Sequence, residues 1–222
     1  MVMAKTILTK RQQNLLTQLE KDKNITNNFY LSGSTALSEY YLHHRYSESL
    51  DFFSFKEVNP LAIQIVLKTL STKIGFEKID FQQSFNRNLF FLHFPDGEVI
   101  KSEFTYYPFT QIELPQIIND LKIDSLLDIS INKAFTIYQM PRMRDFIDLY
   151  FIYKKNGWTY QELLYKARAK FESPIDSLQA AKQLLQVDLL KDFPRMIIEL
   201  STNDLHDFWM QQIQILKGKV VE

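Results

Sequence analysis

The sequence predicts an α+β chain in which a mixed sheet with flanking helices is followed by a helical C-terminal half. Three observations carry that expectation. Apolar and polar side chains alternate through residues 49–53, the period of a strand, and runs rich in aromatic and aliphatic side chains follow at 89–94 and 98–107. Pro95-Asp96-Gly97 stands between the last two of these as a hairpin turn, so they should pair antiparallel. From about residue 110 the pattern turns helical throughout, which places a boundary near residues 107–114 and divides the chain into an α+β domain, 1–110, and a helical domain, 111–222.

In order along the chain, residues 9–22 read as an N-terminal helix and 28–32 as a short strand whose Phe29, Tyr30 and Leu31 form a buried run. Gly33 breaks that run, and Ser34 is placed to N-cap a helix over 35–42. A strand follows at 49–53. Asn59-Pro60 opens a helix to about residue 71, asparagine as cap and proline in the first turn. Strands are expected near 76–82, 89–94 and 98–107. A helix over 124–139 presents Leu126, Leu127, Ile131, Ala134 and Ile137 or Tyr138 as its apolar stripe, and Pro141 ends it. The next helix, 142–155, carries Phe146, Leu149, Tyr150 and Tyr153 at helical spacing, and Gly157 stops it. Thr159-x-x-Glu162 is a capping box. Ser173-Pro174 and Asp192-Phe193-Pro194 mark later boundaries, and Asn203 or Asp204 opens a last helix to about Lys217.

Composition excludes several classes. Hydrophobic residues make up 45% of 222, enough for a sizeable core and against disorder. With no cysteine, neither a disulfide framework nor a thiolate metal site can form. The apolar stretch within residues 1–8 is too short for a secretory signal and no segment is long enough to span a bilayer, so a cytoplasmic protein without membrane contact is expected. Twenty-six basic and 26 acidic side chains cancel, so any RNA contact must be local. The candidate cluster is Lys166, Arg168 and Lys170, with Lys154 and Lys155. Basic residues at a helix C-terminus equally suit the helix dipole. Trp158 and Trp209 read as core or interface anchors. Adjacent His43 and His44 make a poor chelating pair and are expected to pack or cap beside Arg45. Ser34 lacks the His and Asp partners of a hydrolase triad.

The chemistry concentrates in residues 29–53. Free N–H groups at a helix start and the positive dipole end favour a phosphate near Gly33 and Ser34, although the same pair is also an ordinary cap. On the following strand Ser49 and Asp51 share a face, while Glu48 points away. An Asp-x-Asp pair there would hold magnesium between two carboxylates and a triphosphate. Serine at 49 can ligate the ion but brings no charge, and a polar strand end closing a turn is the plainer alternative. Glu103 brings a second carboxylate to this face if its strand lies beside Asp51; otherwise it is an exposed glutamate. Asp145 and Asp148, three apart on one helix, repel unless Lys133, Arg142 or Arg144 lies near. A salt-bridge network between the two helices would serve equally.

These motifs in this order, Gly33-Ser34-Thr35-Ala36-Leu37, His44-Arg45-x-Ser47, Leu50-Asp51-Phe52, Lys101-Ser102-Glu103 before Tyr106-Tyr107-Pro108, Lys133, and Arg144-Asp145-Phe146-x-Asp148-Leu149-Tyr150, resemble the AbiEii/AbiGii toxin family of type IV toxin–antitoxin nucleotidyltransferases. The resemblance spans roughly residues 25–172. It implies a polymerase-β-like nucleotidyltransferase fold and Mg2+-dependent transfer of a nucleotide from an NTP to RNA, such as tRNA, or to protein, with a cognate antitoxin as partner. It implies nucleotide binding at Gly33, Ser34 and Lys133, metal binding at Asp51 and at Glu103 as the third acid, with Ser49 at the first position of the pair, and catalytic roles for Asp51, Glu103, Lys133, Asp145 and Asp148. The departure is Ser49, where the family usually has aspartate. Its loss is expected to remove several kcal/mol of transition-state stabilisation. Two alternatives therefore stand beside the enzyme: a degenerate member that binds nucleotide or a partner without turnover, and an interaction module working through its helical half.

Overall fold

The structure, a computed structural model, describes residues 6–217; most of the N-terminal stretch weighed above as a signal lies outside the described residues. The chain forms two compact units. Among the described residues the first comprises 6–41, 47–110 and 114–125; the second comprises 42–46, 111–113 and 126–217.

The first unit begins with α1 (Lys10–Leu19), capped by a box between Thr9 and Gln12, and α2 (Lys23–Asn28), capped by Asp22. β1 (Tyr30–Ser32) leads into α3 (Gly33–Leu37), which continues as a π-helical turn, Ser38–Leu42. β2 (Ser49–Ser54) is followed by α4 (Pro60–Ile74), opened by Asn59 and closed by left-handed Gly75. Then come β3 (Lys78–Ser84), β4 (Arg87–His93), β5 (Val99–Tyr106), β6 (Gln116–Ile118) and β7 (Leu121–Ile123). They form one seven-stranded mixed sheet in the order β3-β4-β5-β2-β1-β7-β6. β2 is central, antiparallel to β1 and parallel to β5. Its buried residues Leu50 and Phe52 join Leu31, Phe90 and Phe104 in the core, with Phe52 stacked on Phe104 at 4.9 Å.

The second unit is helical. It contains α5 (Leu126–Gln139), α6 (Met143–Asn156), α7 (Tyr160–Phe171), α8 (Ser177–Leu184), a 3-10 turn at Leu185–Asp188, and α9 (Thr202–Lys217). Gly157 ends α6 in the left-handed conformation, and Thr159 and Glu162 form the expected capping box. Trp209 is fully buried, edge-to-face with Phe146 and Tyr160. Among the described residues no helix is long and apolar enough to cross a membrane.

The expected mixed sheet, flanking helices and helical second half are therefore present. Three local expectations are corrected. The helix after β1 starts at Gly33, with Ser32 rather than Ser34 at the N-cap; no side chain caps it, and the Ser32 hydroxyl instead donates to Asp124 at 2.7 Å. Asn28 closes α2 and does not open a strand, because Asp22 caps a turn of helix there. The region past residue 110 is not helical throughout: β6 and β7 form a short antiparallel pair, and β7 runs parallel to β1, extending the sheet.

Candidate active site

β2 shows why an alternating strand at the centre of a sheet can display chemistry. Leu50, Phe52 and Ser54 are buried on one face, whereas Ser49, Asp51 and Phe53 are half-buried on the other. The register pairs Asp51 with Ser32 on β1 and with Glu103 on β5, so the two acids expected to converge are cross-strand neighbours. Ser49 Oγ donates to Asp51 Oδ2 at 3.0 Å. The start of α3 is tied to the same strand: the Thr35 hydroxyl donates to the Ser49 carbonyl oxygen and shares a 2.7 Å hydrogen bond with Ser47 Oγ.

Gly33 is required where it stands. Its φ is +69°, and a Cβ there would lie 2.8 Å from Asp51 Oδ2. The backbone of the turn thus packs directly on the Asp51 carboxylate, a close approach open only to glycine.

Glu103 is only 5% exposed and is held by cations. Arg87 Nε and Nη2 donate to Oε1 and Oε2 at 2.6 and 2.7 Å, Thr105 Oγ1 donates to Oε1 at 2.9 Å, and Lys101 Nζ lies 3.3 Å from Oε2. Burial alone would raise the Glu103 pKa, but the Arg87 hydrogen bonds and the charges of Arg87 and Lys101 outweigh it and hold the carboxyl below its ordinary range. Arg87 is missing from the sequence-based site. The signal for it was the hairpin turn: β4 and β5 residues equidistant from Asp96 pair, giving Arg87 with Thr105 and Leu89 with Glu103.

A second polar cluster lies within the helical unit. Lys133 Nζ on α5 contacts Asp145 Oδ1 at 3.1 Å and Asp148 Oδ2 at 2.6 Å on α6. Arg142 Nε bonds Asp145 at 2.7 Å. Arg45 grips Asp148 with Nε and Nη2 at 2.6 and 2.7 Å, and His44 Nε2 lies 2.7 Å from Asp148 Oδ1. His44, Asp145 and Asp148 are wholly buried, and Lys133 and Arg45 nearly so. Burial by itself would raise the Asp148 pKa, yet the charges of Lys133 and Arg45 hold it well below the usual carboxylate range. Burial lowers the His44 pKa more than Asp148 raises it, so the imidazole is kept neutral. The cation sought between Asp145 and Asp148 is thus Lys133, joined by Arg142, and His44, expected to pack beside Arg45, does so with both side chains on Asp148.

Lys170 does not belong to an exposed basic patch. Its side chain is buried against Asp128 at 2.6 Å, and the Asp128 carboxylate also accepts from the Ile112 and Glu113 amides. Lys166 and Arg168 remain exposed.

Among the described residues no group of three or more His, Cys, Asp or Glu could hold a metal ion. The face around Asp51 offers hard oxygen donors, the Asp51 carboxylate and the Ser49 hydroxyl, beside a Glu103 already paired with Arg87. This set suits magnesium in its common mode, in which one or two carboxylates and substrate phosphates share the ion.

Residues 14–214 match the family described as nucleotidyl transferase AbiEii toxin, type IV TA system. An uncharacterised protein of Aquifex aeolicus (strain VF5), aq_aa25, is 31% identical over 217 residues, covering 96% of each chain. Two Helicobacter pylori crystal structures share the fold: JHP933 (TM-score 0.57, 19% identity, 96% of each chain covered) and a proposed nucleotidyltransferase (TM-score 0.60, 17% identity, 96% of this chain and 97% of that one).

Proposed function

Since the chain belongs to the AbiEii family of nucleotidyl transferase toxins, we propose that it transfers a nucleotide from an NTP to an RNA (such as tRNA) or protein acceptor with the help of Mg2+. The observation that supports this most is the packing of the Gly33 backbone on the Asp51 carboxylate, with Glu103 beside it in register. That arrangement brings a backbone turn suited to phosphate oxygens against the acids that manage their charge.

In such a transfer the acceptor hydroxyl attacks the α-phosphorus. A new P–O bond forms, the bond to the β-phosphate breaks, the proton leaves the hydroxyl and pyrophosphate departs. Gly33 and Ser34 hold the phosphates, and Asp51 with Ser49 holds the ion. Magnesium, when bound, neutralises charge on the phosphates and on the departing pyrophosphate. Arg87 and Lys101 fix the orientation of the Glu103 carboxylate and keep it ionised, ready to accept a proton or to complete the ion's shell. Lys133, Asp145 and Asp148, with Arg45 and His44, serve as positioning residues: burial keeps Asp148 from reacting atoms, while its ion pairs lock α5, α6 and residues 44–45 together. The type IV toxin–antitoxin description supports a cognate antitoxin as partner.

A second reading is favoured by Ser49 and by the pairing of Glu103 with Arg87: a binding module without turnover. Labelling separates the two. With α-labelled NTPs and Mg2+, the first reading predicts label on RNA or protein that vanishes in Asp51→Ala and is not reproduced with γ-label. Nucleotide binding without transfer would establish the second.

A further inference from the structure

Two cations share the sheet face that carries the acids. Arg87 on β4 pairs with Thr105, and Lys101 on β5 pairs with Ser49. Residues paired across adjacent strands, or two apart along one, share a face, so Arg87, Lys101, Glu103 and Asp51 form one patch. Arg87 uses Nε and Nη2 on Glu103; its Nη1 has no hydrogen-bond partner among the described residues, and 52% of the side chain is exposed. The Lys101 side chain is 32% exposed. The four formal charges cancel. A face of carboxylates alone would repel a triphosphate until a metal arrived. This one sets up no such repulsion, and it presents the edge of a guanidinium, whose planar fork suits phosphate oxygens.

We infer that the chain binds the triphosphate of its nucleotide without a divalent metal, through Arg87 and Lys101, the metal serving the transfer step alone. This rests on the nucleotidyl-transfer reading above and names how its substrate is held. The geometry has a further consequence: Glu103 competes with the triphosphate for Arg87, so neutralising Glu103 strengthens metal-free binding.

The test is calorimetric titration of the full chain with inorganic tripolyphosphate, the part common to every NTP, and then with each NTP, in EDTA and in Mg2+. Saturable binding in EDTA is expected, with a Kd within about threefold of that in Mg2+, weakened about tenfold or more by Arg87→Ala and tightened by Glu103→Gln. Circular dichroism checks that each variant is folded. Should Arg87→Ala not fold, the near-isosteric Glu103→Gln still decides by the direction of its effect. Binding seen only with Mg2+, or binding in EDTA that neither substitution changes, overturns this inference and leaves nucleotidyl transfer standing. No binding by the folded chain in either buffer overturns both.

Discussion

Replacing Gly33 by alanine isolates the contact at the centre of this account, because the chain contains its own control. Gly33 and Gly75 both adopt positive φ, +69° and +93°, so alanine at either carries the left-handed backbone penalty of about 1–2 kcal/mol. Around Gly75 a new Cβ meets nothing within 4 Å. At Gly33 it would stand 2.8 Å from Asp51 Oδ2, about 0.6 Å inside ordinary contact. The Asp51 carboxylate must rotate away, which strains its rotamer by about 0.5–1.5 kcal/mol and disturbs its 3.0 Å hydrogen bond from Ser49. Urea denaturation should therefore show Gly33→Ala less stable than Gly75→Ala by about 1 kcal/mol. Label transfer should fall by about tenfold or more in the first variant, since displacements below 1 Å at reacting groups are costly, and stay unchanged in the second. Equal stability losses with intact transfer in both would refute the reasoning.

Asp148→Asn leaves Arg45 and Lys133 buried against a neutral amide and should destabilise the chain by about 3–5 kcal/mol in urea; a loss under about 1 kcal/mol would contradict the buried ion cluster. The same cluster sets a pH dependence. The folded Asp148 carboxyl lies below its unfolded value of about 3.9, so its stabilisation is complete above that pH and is lost as pH falls beneath it. Burial depresses His44 below about 6.5, so stability also declines as pH drops under that value, before the carboxyl titrates. Thermal melts of wild type against His44→Gln should show the upper part of this decline in wild type alone; identical profiles would exclude His44 as its source. Ser49→Asp restores a carboxylate beside Asp51 and should tighten Mg2+ binding by tenfold or more, about 1.4 kcal/mol. Unchanged affinity would mean the ion is not held on this face.

Much of the fold was legible because its signals are local. The alternation around Asp51, the Pro95-Asp96-Gly97 hairpin and the Thr159–Glu162 box each lie within a few residues, and each formed as expected. β6 and β7 escaped because three-residue strands are too short to show a period, and what recruits them is β1, far away in sequence. The helix opens two positions earlier than the capping chemistry of Ser34 suggests, at Gly33 with Ser32 at the N-cap, where no side chain caps it and the Ser32 hydroxyl is drawn to Asp124. The site divides in the same way. The neighbouring of Asp51 and Glu103 followed once β5 was set beside β2. Arg45 meets Asp148 across 103 residues and Lys170 meets Asp128 across 42, pairings that no local pattern encodes. Arg87 is intermediate, hidden in the sequence yet recoverable from the hairpin register.

The most direct measurement is a crystal structure of the chain grown with Mg2+ and a non-hydrolysable NTP analogue. The triphosphate is expected on the β2–β5 face, its oxygens within hydrogen-bond distance of the Gly33–Ser34 turn and of Arg87, with the ion on Asp51. A well-ordered triphosphate bound elsewhere, with Asp51 and Arg87 untouched, would contradict this expectation.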